Sequence, residues 1–278
     1  MNFKYLGTAA AEGWPAVFCN CEYCLKAKQL GGKNIRTRSQ SIIDDKLLID
    51  FPGDTYYHAL TNNFDLSAIE YCLVTHAHLD HFMPTDLFFR ADGVYAHKLT
   101  KKNLTFISNQ TVVDRMNKLI KVFEDESPNL GISFDIIPLY TPKQYGKYTI
   151  TALRANHSYG EEAHVYIIFD GKKTILYLHD TGLLYDDVWD YLIKNNIKAD
   201  FVSYDCTFVK LPSSGGHLGL DTCIVTRDKL HENGIIGDKT VNCINHFSHN
   251  GILIYDELVP VAEKYGFLTA YDGMELNF

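Results

Sequence analysis

The chain has 278 residues, 46% hydrophobic and 22% charged, a balance that suits a core-forming enzyme domain and excludes a disordered chain. Its formal net charge of −8 disfavours a broad electrostatic surface for DNA or RNA but leaves room for a small anionic substrate beside bound cations. No apolar run reaches membrane-spanning length and no secretion-signal stretch opens the chain, so a cytoplasmic protein without a membrane partner is expected.

Residues 3–6 read as a first strand. The segment Cys19-Asn20-Cys21-Glu22-Tyr23-Cys24 then runs into a helical pattern stopped by Gly31-Gly32. Three thiols this close can wrap one tetrahedral zinc if a fourth ligand comes from elsewhere; the competing reading is incidental cysteines. Cys72, Cys206, Cys223 and Cys243 sit in apolar or helical contexts and read as buried thiols. Residues 41–43 and 47–50 form a strand pair turning at Asp44-Asp45, and Asp54-Thr55 is placed to cap a short helix. Arg36 and Arg38, just before that pair, are either phosphate-facing or an exposed basic pair.

The apolar run Tyr71-Cys72-Leu73-Val74 reads as a buried strand, and it ends in Thr75-His76-Ala77-His78-Leu79-Asp80-His81. His76 and His78, two apart in extended chain, point the same way, while Asp80 and His81 can turn toward a second point. That is the local logic of a site for two metal ions, against which stands a solvated histidine loop.

A helix entered through Pro84 follows, then a short strand at 94–96 and helical stretches around Leu104 and over 112–122. Strands are expected at 132–139, 148–153, 164–169 and 174–178, with turns at Gly146 and Asp170-Gly171. Two of them end in His157 and Asp180, which by themselves would be turn or capping residues. A helix over 185–195 and a buried strand over 201–206 lead to the glycine loop Ser213-Ser214-Gly215-Gly216-His217, a segment able to close over a substrate. The strand 240–245 runs into His246 and His249, and a helix over 252–265 and a hairpin pairing 267–270 with 274–278 close the chain. No internal repeat is evident.

His76-Ala77-His78-Leu79-Asp80-His81 resembles the HxHxDH signature of the metallo-β-lactamase-fold hydrolases. Five segments together resemble the PhnP-type phosphodiesterases associated with carbon-phosphorus lyase: the C-x-C-x-x-C run, Arg36-Thr37-Arg38-Ser39, the histidine loop, Asn245-His246-Phe247-Ser248-His249 and Ala270-Tyr271-Asp272-Gly273. The resemblance implies an α/β fold, an αββα sandwich of two mixed sheets flanked by helices, as one domain over 1–278 with a zinc-stapled loop at about 13–32. It implies that His76, His78 and His157 hold one divalent ion, that Asp80, His81 and His246 hold another, and that Asp180 bridges them. Zinc and manganese both suit these ligands. Cys19, Cys21, Cys24 and His249 would hold a structural zinc. His217 would be a catalytic residue that assists leaving-group departure without binding metal, and Asp80 would also orient the nucleophile. His164 and His179 have no place in the signature and are expected to be supporting residues.

The implied activity is a phosphodiesterase opening a small cyclic phosphate, similar to phosphoribosyl 1,2-cyclic phosphate, by attack of a hydroxide that two cations generate from water. Other readings of the same fold are hydrolysis of another ester, a lactone or RNA, or a non-catalytic metal-binding accessory protein of cofactor biosynthesis. The expected partner is a small anionic substrate, with nucleic acid disfavoured and a homodimer compatible with the sequence.

Overall fold

A computed structural model describes residues 1–122, 129–213 and 215–278. Two seven-stranded sheets lie against each other. The first has the order β14-β1-β2-β3-β4-β5-β6 and the second β13-β12-β11-β10-β9-β8-β7. In the first sheet β1 (Asn2–Gly7), β2 (Gln40–Ile43) and β3 (Leu47–Ile49) are antiparallel neighbours. β3 then pairs parallel to β4 (Tyr71–Leu73), and β5 (Leu104–Ser108) and β6 (Ile132–Ile136) continue in parallel. In the second, β7 (Lys143–Tyr145), β8 (Tyr148–Arg154), β9 (His164–Phe169) and β10 (Thr174–Leu178) form an antiparallel meander. β10, β11 (Phe201–Asp205), β12 (Val241–Asn245) and β13 (Leu268–Thr269) then run parallel.

The two-residue period of the strands sorts the apolar side chains into two cores. Phe3, Tyr5, Ile43, Leu47, Ile49 and Leu73 face the second sheet, where they meet Tyr177, Phe201 and Ile244. Their sequence neighbours Ile42, Leu48 and Cys72 face outward into a smaller cluster with Phe106, Val112 and Met116. Among the described residues six α-helices flank the sheets: α1 (Glu22–Leu30), α2 (Thr55–Asn62), α3 (Gln110–Val122), α4 (Asp186–Lys194), α5 (Leu220–Glu232) and α6 (Tyr255–Glu263). This is the αββα sandwich expected from the sequence, and among the described residues no helix is long and apolar enough to cross a membrane.

Four local expectations are corrected. Residues around Leu104 form β5, not a helix, because pairing with β4 and β6 on both sides buries Leu104 and Phe106. Residues 94–96 are a tight turn through Gly93 at φ +79°, closed by a bridge between Asp92 and Ala96. The closing segments do not form a hairpin: β13 extends the second sheet beside β12, and β14 (Glu275–Asn277) extends the first beside β1. Asp54 does not cap α2 with its side chain but binds the backbone N–H and guanidinium of Arg38.

Candidate metal centre and active site

Parallel strands carry their C-terminal ends to one edge of a sheet, and the site is built there. Asp180 follows β10, Asp205 ends β11 and His246 follows β12, three neighbouring strands in parallel register. The loop after β4 in the opposite sheet brings His76, His78, Asp80 and His81 to the same place. His157 arrives from the end of β8. Asp180 and His246 turn out of their strands with left-handed backbones, φ +49° and +62°, conformations that a side chain-bearing residue keeps only when its surroundings impose them.

The seven side chains named from the sequence fall into two touching groups, His76, His78 and His157 in one and Asp80, His81, Asp180 and His246 in the other. His157 Nε2 lies 3.3 Å from His78 Nδ1. In the second group the Asp180 carboxylate lies 2.5 Å from His81 Nε2 through one oxygen and 3.0 Å from His246 Nε2 through the other. Asp80 lies 3.2 Å from His81 Nε2. Asp180 Oδ2 also comes within 3.4 Å of His76 Nε2, so this one carboxylate faces both groups.

The far nitrogen of each of four imidazoles is held. Asp50 lies 2.7 Å from His81 Nδ1, and the Gly216 carbonyl accepts from His157 Nδ1 at 3.0 Å. The Thr75 hydroxyl donates to Asp50, so at 3.1 Å it accepts from His76 Nδ1. The Thr207 hydroxyl donates to the His246 carbonyl and likewise accepts from His246 Nδ1 at 2.8 Å. Each bond puts the hydrogen on Nδ1 and leaves a lone pair on Nε2 directed into the cluster, the tautomer a cation requires. His76 Nε2 and Asp180 Oδ1 are buried and have no hydrogen-bond partner among the described residues. Nitrogen and carboxylate donors, fixed lone pairs and unpartnered buried atoms at the centre together fit a pair of divalent cations.

Charge follows the same geometry. Burial pushes the His76 imidazole well down. Burial opposes protonation of His81 as well, but Asp180, Asp80 and Asp50 around it outweigh that and raise it. Asp180 is held well below the usual carboxylate range, because His246, His81 and His76 overcome the effect of its burial.

His217 is next to this cluster, its ring stacked 5.7 Å from that of His246 and edge-on to that of His157 at 4.8 Å. The glycine loop does not leave it loose: its Nδ1 is 2.8 Å from Asp205 Oδ2, and Asp205 also accepts from the Leu218 N–H. Burial lowers the imidazole, but Asp205 raises it further, to about 9. Ser214 of that loop lies outside the described residues. Gly216 packs so closely on His157 that a Cβ would meet its Nδ1 at 2.7 Å.

Asp50, Thr75, Asp205 and Thr207 support the site and were not picked out from the sequence. Asp50 and Asp205 had a usable signal, a polar residue ending a buried strand one element away from a candidate ligand. His164 bonds Glu162 and Tyr166, and His179 bonds Ser203 and lies tilted against the Tyr177 ring, supporting roles for both. Arg36 is buried, donates to Thr8 and the Ala270 carbonyl, and lies 4.1 Å over the Phe247 ring, so neither the phosphate-facing nor the exposed reading holds for it.

Cys19, Cys21, Cys24 and His249 gather separately. His249 Nδ1 lies 3.4 Å from Cys21 Sγ and 3.5 Å from Cys24 Sγ. Ideal tetrahedral zinc bonds put sulfur and nitrogen about 3.6 Å apart. Burial works against ionisation of Cys21, yet hydrogen bonds from His249 and neighbouring thiols lower it to about 6, while burial raises Cys24 to about 12.

Solved structures of similar fold span the whole chain. Zn²⁺-bound PqqB from Methylobacterium extorquens aligns at TM-score 0.76 and 19% identity, covering 100% of both chains. A diphosphatase of the PhnP family aligns at 0.75 and 18%, covering 100% of this chain and 97% of its own. Human tRNase Z, short form, aligns at 0.68 and 15%, covering 100% and 99%. At these identities the likeness establishes the metallo-β-lactamase fold, with a PhnP-family protein among the neighbours as the sequence resemblance implied. No curated protein sequence matches the chain. A family model does, over residues 39–235, a stretch that holds β2 through α5 and with them His76 to His81, His157, Asp180 and His217. The chain therefore belongs to the family described as anti-Pycsar protein Apyc1, within the metallo-β-lactamase fold.

Proposed function

We propose that the protein is a dinuclear-metal phosphodiesterase that opens a small cyclic phosphate, of the kind of phosphoribosyl 1,2-cyclic phosphate. His76, His78 and His157 would hold one ion, Asp80, His81 and His246 the other, and Asp180 both. When bound, two cations lower the pKa of water toward neutrality and take up charge on phosphoryl oxygens. The protein's own residues supply the rest. Asp80, 3.2 Å from His81 Nε2, orients the attacking water; Asp50, Thr75, Thr207 and the Gly216 carbonyl keep the imidazole lone pairs aimed inward. His217 gives a proton to the departing oxygen: Asp205 occupies its Nδ1, so the proton passes through Nε2.

The observation that carries this reading is the contrast between His217 and its neighbours. Asp205 favours its protonated form, whereas the Nδ1 partners of His76, His157 and His246 prepare neutral rings for cations. The net charge of −8 favours a small anionic ester over RNA. The test is a screen of protein loaded with zinc or manganese against cyclic phosphates, linear phosphodiesters, lactones and thioesters. Turnover of cyclic phosphates first among these is expected; none across the panel would leave a metal-binding accessory protein.

A further inference from the structure

Two segments that resemble the PhnP-type proteins, residues 36–39 and 270–273, take no part in the site above, yet they meet each other. The Asp272 carboxylate accepts from the Thr37 N–H and the Thr8 hydroxyl, each at 2.6 Å. Arg36 donates to Thr8 Oγ1 and the Ala270 carbonyl, each at 2.7 Å. The Thr37 hydroxyl lies 2.6 Å from Asp272 Oδ2 and 2.7 Å from His58 Nε2. On the opposite edge of the His58 ring, Nδ1 is 2.6 Å from Gln40 Oε1.

The Gln40 amide has one workable orientation. Its Nε2 donates to the Asp50 carbonyl at 2.9 Å and to Thr55 Oγ1 at 3.0 Å, and the Thr55 hydroxyl is itself spent on the Pro52 carbonyl. Both partners are acceptors, so the NH₂ group must face them, and the amide oxygen must accept from His58 Nδ1. The series therefore runs from Asp272 and Thr37 through His58 and Gln40 to Asp50, and Asp50 holds His81. Gln40, Asp50 and His58 are fully buried.

Asp50 needs such support. Its φ is +66°, a left-handed backbone in a non-glycine residue, and this turn at the end of β3 aims its carboxylate at Thr75 and His81. We propose that His58 is a positioning residue for the ion position formed by Asp80, His81, Asp180 and His246: it holds Gln40, Gln40 fixes the strained Asp50 peptide, and Asp50 orients His81. The proposal rests on the two-ion reading above and is independent of the substrate.

The experiment counts ions. Protein stripped with a chelator is titrated with Zn²⁺, and the equivalents and affinities are measured by calorimetry and elemental analysis for wild type, His58→Ala and His58→Asn; asparagine keeps an N–H donor where Nδ1 stood. The thiolate site serves as an internal control for folding. His58→Ala is expected to bind one of the paired ions about tenfold more weakly with the other unchanged, and His58→Asn to recover most of that loss. Unchanged binding of both ions by His58→Ala overturns the proposal. So does loss of the thiolate zinc along with the pair, which assigns His58 to general folding, and so does absence of recovery in His58→Asn. Failure of the two-ion reading looks different, since wild type itself would then bind only the thiolate ion.

Discussion

The chain builds two ligand clusters in opposite ways. The cysteine cluster is local: Cys19 and Cys21 lead into α1, Cys24 lies in its first turn, and His249 comes from afar. The carboxylate–imidazole cluster is assembled from the ends of β4, β8, β10 and β12 in both sheets, and four imidazoles are held from behind, His76 by the adjacent Thr75 and the other three by residues from further segments. A local cluster can form its site as the loop closes and so tie that loop down. A distributed one exists only once the sandwich is packed, and its precision depends on side chains that touch no ion.

The comparison breaks most visibly at Asp180, whose carboxylate faces both halves of the distributed site. Asp180→Asn is expected to abolish turnover and release the paired ions while the thiolate zinc stays bound, as elemental analysis and activity on one sample would reveal. Retention of both ions would deny Asp180 its bridging place.

Replacing His217 with Ala should slow turnover by about 10²–10⁴-fold with ion content unchanged. Because Asp180, Asp205, His217 and His246 also lie close enough to hold an ion among them, loss of metal in this variant would reassign His217 as a ligand.

Cys21→Ser attacks the other cluster. It should remove the thiolate zinc and cost on the order of 4 kcal/mol, read as a lowered Tm, with turnover preserved below the new midpoint. An equal loss of activity at low temperature would show that the two clusters are not separable.

The smallest effect concerns pH. Asp205 raises His217 against its burial, so the protonated donor persists to higher pH than in a free imidazole and is lost on the alkaline side. In Asp205→Asn the raising charge is gone, and the alkaline limb of the pH–rate profile should move to lower pH; an unmoved limb would take His217 out of the proton transfer.

How legible each region was follows from the same contrast. The histidine loop after β4 and the C-x-C-x-x-C run are short enough to read directly, since side chains two to five residues apart share a loop wherever it folds. His157, Asp180 and His246 gained meaning only from a resemblance, because a lone polar residue at a strand end has many bland explanations. Arg36 reads as phosphate-facing or exposed because nothing in its sequence neighbourhood announces that Phe247, Thr8 and Ala270 close around it. The final segments read as a hairpin because adjacent strands usually pair, and here each finds an edge in a different sheet.

By itself, then, the amino-acid order determined the alternation that sorts Phe3, Tyr5 and Ile43 from Ile42 and Leu48, the identity of the donor atoms and the grouping of those close in sequence. Packing decided the remainder: that Asp180 faces two groups, that Asp50 stands behind His81 and Asp205 behind His217, and that Asp272 reaches Thr37. Such contacts join residues far apart in the chain, and their geometry is set by strand register and sheet-to-sheet distance, quantities that no local pattern encodes.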